Sequence, residues 1–99
     1  MIVAVGADGV RLEEPEVLDA FHVAARDGAD VDAELRRSGA GWLADDGDAR
    51  IAIDWVRGAA TATGVGTMWP DQFNDMVAFA ASKGWLDADG TVLRAHIEH

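Results

Sequence analysis

Cysteine and tyrosine are absent from this chain, proline occurs twice, and Lys83 is the single lysine. Without cysteine neither a disulfide nor a thiolate metal site can form. Small secreted domains usually need such staples, so the composition favours a reducing compartment. The opening Met1-Ile2-Val3-Ala4-Val5 has no basic leader and is too short for a signal core. No apolar stretch approaches the roughly 18 residues that span a bilayer. The expectation is a cytoplasmic protein that engages no membrane.

Catalytic chemistry is equally sparse. There is no Cys or Tyr, and Ser38 and Ser82 both sit near expected helix ends and outside any nucleophile-elbow pattern. Gly64-Val65-Gly66 lacks the lysine and the strand–turn–helix context of a phosphate loop. Only His22, His96 and His99 offer imidazole. Asp19 and His22 would share a face if their segment is helical, but a single such pair reads as a surface hydrogen bond rather than a metal site. The acidic turns Asp45-Asp46-Gly47-Asp48 and Asp87-Ala88-Asp89-Gly90 fail as calcium loops. Placing either glycine sixth puts Trp42 or Trp85 first. Nothing calls for a metal or cofactor, and the sequence points away from an enzyme.

What is present is acid. Eighteen Asp and Glu face eight Lys and Arg, a net charge of −10. Residues 1–49 carry −8 of it and residues 50–99 only −2. Such a surface repels phosphate backbones and anionic lipid, so nucleic acid is not an expected partner. Seven Arg against one Lys, with abundant Ala, Gly and Asp, is the composition of a GC-rich bacterial genome.

The length of 99 residues fits a single domain, 1–99. The chain opens as a hairpin, with Gly6-Ala7-Asp8-Gly9 as the turn between an apolar run and Val10-Arg11-Leu12. Pro15 after two glutamates then predicts an amphipathic helix through Val17, Leu18, Phe21, Ala24 and Ala25, ended by Gly28. Asp30 caps a second, weaker helix through Arg37, stopped by Gly39. Residues 49–57 fit either period, and Ile51, Ile53 and Trp55 on one face favour a strand. The small residues 58–68 read as a loop or as a frayed extension of that element. Pro70 opens the clearest helix, 70–83, with Phe73, Met76, Val77, Ala80 and Ala81 as its stripe and Gly84 as its end. Trp85 to Glu98 completes a hairpin in which Leu93, Ala95 and Ile97 alternate with Arg94, His96 and Glu98.

The segment from Gly41-Trp42-Leu43 to Gly47 echoes the one from Gly84-Trp85-Leu86 to Gly90, which suggests an internal pseudo-repeat of helix, Gly-Trp-Leu and hairpin. The expected fold is α+β, about three helices with two or three short antiparallel hairpins. A winged-helix-like arrangement is the alternative, by element order alone. A DNA-reading use is not expected, since helix 70–83 presents Asp71, Gln72, Asn74 and Asp75 with one lysine.

Three functional expectations follow. The first is a non-catalytic acidic interaction module that binds a protein partner or itself as a homodimer. Its candidate partner-binding residues are Met68, Trp69 and Phe79. Phe79 lies off its helix's apolar stripe, so either another element covers it or it is exposed. The second is a small-ligand domain or minor enzyme with a pocket between the hairpins and helix 70–83. The third is an acidic antagonist or nucleic-acid mimic.

Overall fold

The computed structural model describes residues 1–99. Strand β1 (Ile2–Gly6) turns through Ala7-Asp8 into β2 (Gly9–Glu13), pairing antiparallel from Ile2↔Glu13 to Gly6↔Gly9. This is the hairpin that the Asp-Gly signal predicts. Val3, Ala4 and Val5 are all buried. An unbroken apolar run suits a central strand covered on both faces.

Residues 15–27 depart from expectation. They form turns and then strand β3 (His22–Ala25), not an amphipathic helix. Strand β3 lies parallel to β1 on one side and parallel to a short terminal strand, Ile97–Glu98, on the other. Its backbone is satisfied from both directions. Val23 N–H donates to His96 O at 2.8 Å, and Arg26 N–H donates to Val5 O at 2.9 Å. Buried Val23 and Ala24 fill the slot. A helix here would leave the edge of β1 unpaired inside the protein, a cost that outweighs the local helical pattern.

Helix α1 (Val31–Ser38) matches its signals. Asp30 accepts from Ala33 N–H at 3.1 Å as N-cap, and Gly39 adopts the left-handed conformation at its end. Strand β4 (Gly41–Leu43) and β5 (Ala49–Ala52) form a hairpin. At Ile53 the chain turns helical, so the strand favoured for 49–57 stops at Ala52 and α2 (Ile53–Thr63) begins. The buried set Ile53, Val56 and Ala60 has helical spacing. The sheet holds the chain as far as Ala52 N–H, which donates to Ala40 O at 2.7 Å, and Ile53 N–H, which donates to Thr91 O at 3.0 Å, and the helix starts from there. Part of the stretch read as loop or frayed extension, 58–63, is therefore ordered helix.

Helix α3 (Trp69–Ser82) covers the expected 70–83, with Phe73 and Ala80 buried. Strand β6 (Val92–Ala95) pairs antiparallel with β5, and β7 (Ile97–Glu98) crosses to the first sheet. The two sheets run β2-β1-β3-β7 and β4-β5-β6, an α+β fold with three helices and seven strands. Neither finer reading of the architecture is supported. In the first Gly-Trp-Leu segment a three-residue strand forms, whereas the second contributes a single bridge, Leu86↔Leu93. The echo then parts company, since Ile53 starts a helix and Ile97 a strand in the other sheet. A four-stranded sheet with parallel pairings is also no part of a winged-helix outline.

One apolar cluster joins both sheets and all three helices, with Phe73, Leu35, Ile51, Leu93, Val3 and Val23 at its centre. Gly41 sets the closest backbone approach, because a Cβ there would overlap the carbonyl of Arg50 across the β4–β5 pair. Gly58, exposed in α2, has nothing within 4 Å. In urea unfolding we expect Gly41→Ala to cost about 2 kcal/mol or more through strand separation. Gly58→Ala should stabilise by about 0.5–1 kcal/mol through helix propensity. Equal effects would mean that the β4–β5 approach imposes no constraint.

Candidate functional site

The turns at residues 14–21, which replace the expected helix, are anchored by the chain's own ammonium group. Met1, itself buried, donates from its α-ammonium to Val17 O at 2.8 Å and Ala20 O at 2.9 Å. Desolvation by burial holds that ammonium below its usual pKa, against the opposing charges of Glu14 and Asp19. Glu14, before Pro15, is the only non-glycine residue with positive φ, at 50°. Leu18, Asp19, Ala20 and Phe21 thereby become one wall of a groove.

The opposite wall is the C-terminal half of α3, through Met76, Phe79 and Ala80, continued by Trp85, Leu93 and Arg94. The groove encloses about 540 Å³ and is lined almost wholly by apolar side chains. Phe79 is 57% exposed and Trp85 45% exposed, their rings meeting edge to face at 6.1 Å between centroids. Lys83 Nζ lies 5.5 Å from the Phe79 ring centroid. The groove sits between α3 and the last hairpin, where a pocket was expected, but its far wall is the 18–21 segment.

The three candidate partner-binding residues are not one surface. Met68 is 71% exposed and Phe79 is exposed, but Trp69 is 4% exposed. The Trp69 ring stacks on Phe73 at 4.7 Å, and its indole N–H donates to Pro15 O at 2.7 Å. Trp69 is thus a core residue with one satisfied polar atom, pinning the start of α3 to the turn after β2. Met68 and Phe79, eleven residues apart, stand roughly 16 Å apart along the helix axis. The residues that sequence reasoning missed are Leu18 and Phe21, assigned to a helix that does not form, and Trp85, placed only as the start of the last hairpin. The off-stripe position of Phe79 was the one signal that led here.

Arg94, at the groove's end, is fixed from behind. Its Nε donates to Asp48 Oδ2 at 2.7 Å, and Arg50, directly opposite it in the β5–β6 register, holds Asp46 at 2.6 Å. The acidic turn therefore clamps two facing arginines that would otherwise repel. In the second acidic turn Asp87 accepts from Thr91 N–H at 2.8 Å and Val92 N–H at 3.1 Å. His22, on β3 rather than a helix, meets Glu98 at 3.0 Å and not Asp19. No group of three or more His, Asp or Glu side chains is placed to hold a metal ion. No helix is long and apolar enough to cross a membrane. The chain matches no protein-family model, no curated protein sequence and no solved structure.

Two predictions follow from these contacts. Trp69→Phe should keep the stack and cost about 1–2 kcal/mol for the lost hydrogen bond. Trp69→Ala should cost about 3–5 kcal/mol in urea unfolding. A Trp69→Ala variant as stable as the parent would return Trp69 to the surface.

The second prediction concerns acid. The hydrogen bond from Arg50, then that from the Asp48 backbone N–H, holds the Asp46 carboxyl below the ordinary value. The Leu43 N–H, then Arg36, does the same for Asp32. A carboxyl depressed in the folded state stabilises above its unfolded pKa of about 3.9, and that contribution is lost as pH falls through the folded value. The urea midpoint should therefore drop between about pH 5 and pH 2.5, and drop less in Asp46→Asn. Identical acid limbs in the two proteins would remove Asp46 from the account.

Proposed function

We propose that the chain is a non-catalytic interaction module of the cytoplasm that docks through the apolar groove beside α3. The observation that carries this reading is the pair of exposed rings, Phe79 and Trp85, set in a groove of about 540 Å³. Grouped exposed aromatics of this kind mark interaction sites more often than they occur by chance. The carboxylates add to it by their engagement. Asp32, Glu34, Asp46 and Asp48 hold arginines and Asp87 shapes a turn, and Asp19, the one carboxylate lining the groove, has no second carboxylate or imidazole beside it there to form an acid–base pair.

A small apolar ligand is the second reading, favoured by the groove volume, which lies within the usual range for ligand pockets. Its weakness is that Phe79 and Trp85 remain open to solvent along one side, where a ligand site would enclose most of its guest.

Phe79→Ser removes the larger exposed ring from a position whose side chain the core does not use. We expect it to leave the melting temperature near that of the parent. Self-association by light scattering, or retention of a partner by the immobilised protein, should be lost. If the variant associates and retains proteins as the parent does, the groove is not the docking face.

A further inference from the structure

We infer that the occupant of this groove is a second copy of the chain, docked antiparallel along α3. The inference rests on the groove being a docking face and names what fills it. The outer row runs from Asp75 and Phe79 on α3 to Lys83 at its C-cap, all exposed and spaced four residues apart. Residues at that spacing adjoin on one ridge of a helix. The row reads acid, aromatic, base.

Its charges are free. Asp75 forms no ion pair, and Lys83 lies over the Phe79 ring without a carboxylate. Six of the seven arginines, Arg11, Arg26, Arg36, Arg37, Arg50 and Arg94, each hold an acid, and Arg57, over the buried Phe73 ring, is the other base without one. In a chain with 18 acids and 8 bases, an unclaimed lysine at the edge of an apolar groove needs a reason.

A two-fold axis through the Phe79 rings supplies one. An isologous interface must be self-complementary, each patch meeting its own copy. Antiparallel packing sets Asp75 of each copy against Lys83 of the other, with the two Phe79 rings meeting between. The eight-residue separation is about 12 Å of helix, so each ion pair brackets the rings at about 6 Å. Parallel packing would oppose Asp75 to Asp75 and Lys83 to Lys83. Ala78 and Ser82, exposed beside Phe79, are small enough for the helices to approach. The incoming ring then enters the hollow formed by Trp85, Leu18 and Phe21.

The wider charge agrees. The helix ridge belongs to the half of the chain carrying −2, and the facing wall adds one acid from the other half, Asp19. At physiological ionic strength the screening length is about 8 Å, which mutes the remote acids more than pairs in contact. A strongly basic partner would meet Lys83 as a like charge beside the Phe79 ring.

The test is sedimentation equilibrium of the full chain from low micromolar to near-millimolar concentration at physiological salt. The parent should show a monomer–dimer equilibrium. Asp75→Lys and Lys83→Glu should each weaken it about 10-fold or more, since each creates two like-charge contacts across the axis. The double variant should restore it to within about threefold. That rescue also shows that the substituted chains fold. Single reversals without effect, or a double variant that stays monomeric, would overturn the antiparallel pairing. A parent that is monomeric at every concentration would overturn it as well. In that event a different protein retained by the parent and released by Phe79→Ser leaves the docking face standing, whereas no such protein removes both.

Discussion

Between Ala95 and Ile97 the chain leaves one sheet and joins the other. Residues 92–95 complete β4-β5-β6, and two residues later Ile97 pairs with Val23 in β2-β1-β3-β7. The carbonyl of His96, at the crossing, receives the N–H of Val23. Extended backbone alternates its side chains, so Leu93, Ala95 and Ile97 all face the core while Arg94, His96 and Glu98 face out. Much of the rest depends on this run. It provides the outer neighbour that lets residues 22–25 settle as a parallel strand, and that strand draws residues 14–21 across the protein. The turns so formed lie along α3 and become the wall of the groove. Remove the crossing, and the local pattern of residues 15–27 would favour the helix it spells.

What was legible in the sequence was what short-range chemistry decides. Asp8-Gly9 marks a turn whatever surrounds it. Asp30 and Gly39 bound α1 through a side-chain cap and a left-handed glycine, and the stripe from Phe73 to Ala80 fixes α3. The two misread segments share a different property. Val17, Leu18, Phe21, Ala24 and Ala25 fit a helix, yet Val23 and Ala24 are consecutive and both buried, as in a strand covered on both faces. Ile51, Ile53 and Trp55 fit a strand, yet Ile53, Val56 and Ala60 fit a helix and the chain takes both in turn. Period alone cannot choose when the apolar residues satisfy two periods. The choice falls to partners distant in sequence, such as His96 for Val23 and Ala40 for Ala52.

The candidate site was half visible for the same reason. Phe79 betrays itself because its own helix gives it no place in the stripe, a purely local inference. Trp69 has no such mark. Its burial depends on Phe73 one turn on and on the carbonyl of Pro15, 54 residues away in sequence. Likewise the first acidic turn fails as a calcium loop on spacing alone, but what its acids do is visible only with their partners in place. Arg50 and Arg94 stand opposite one another across the β5–β6 pair, and Asp46 and Asp48 supply the negative charge that lets them do so. Half-exposed pairs of this sort add little individually, but a network that separates two facing cations removes a definite repulsion.

Stability alone gives no account of Phe79. Full burial of a phenylalanine side chain is worth about 1.5–3 kcal/mol, and a small domain holds only about 5–15 kcal/mol in total. A serine or glutamate at this helix position would cost the isolated fold little and would improve its solubility. The chain instead sets a ring between an acid and its only lysine, beside a tryptophan and above a groove that the ring itself does not fill. The lysine is spared from the acids that claim almost every other base. Each feature is mildly unfavourable for a free monomer, and all of them become favourable once a complementary surface covers the ridge. Aromatic, charge order and groove are thus the three observations on which the proposed self-docking rests, and the order of the charges is the one that favours a second copy over another partner.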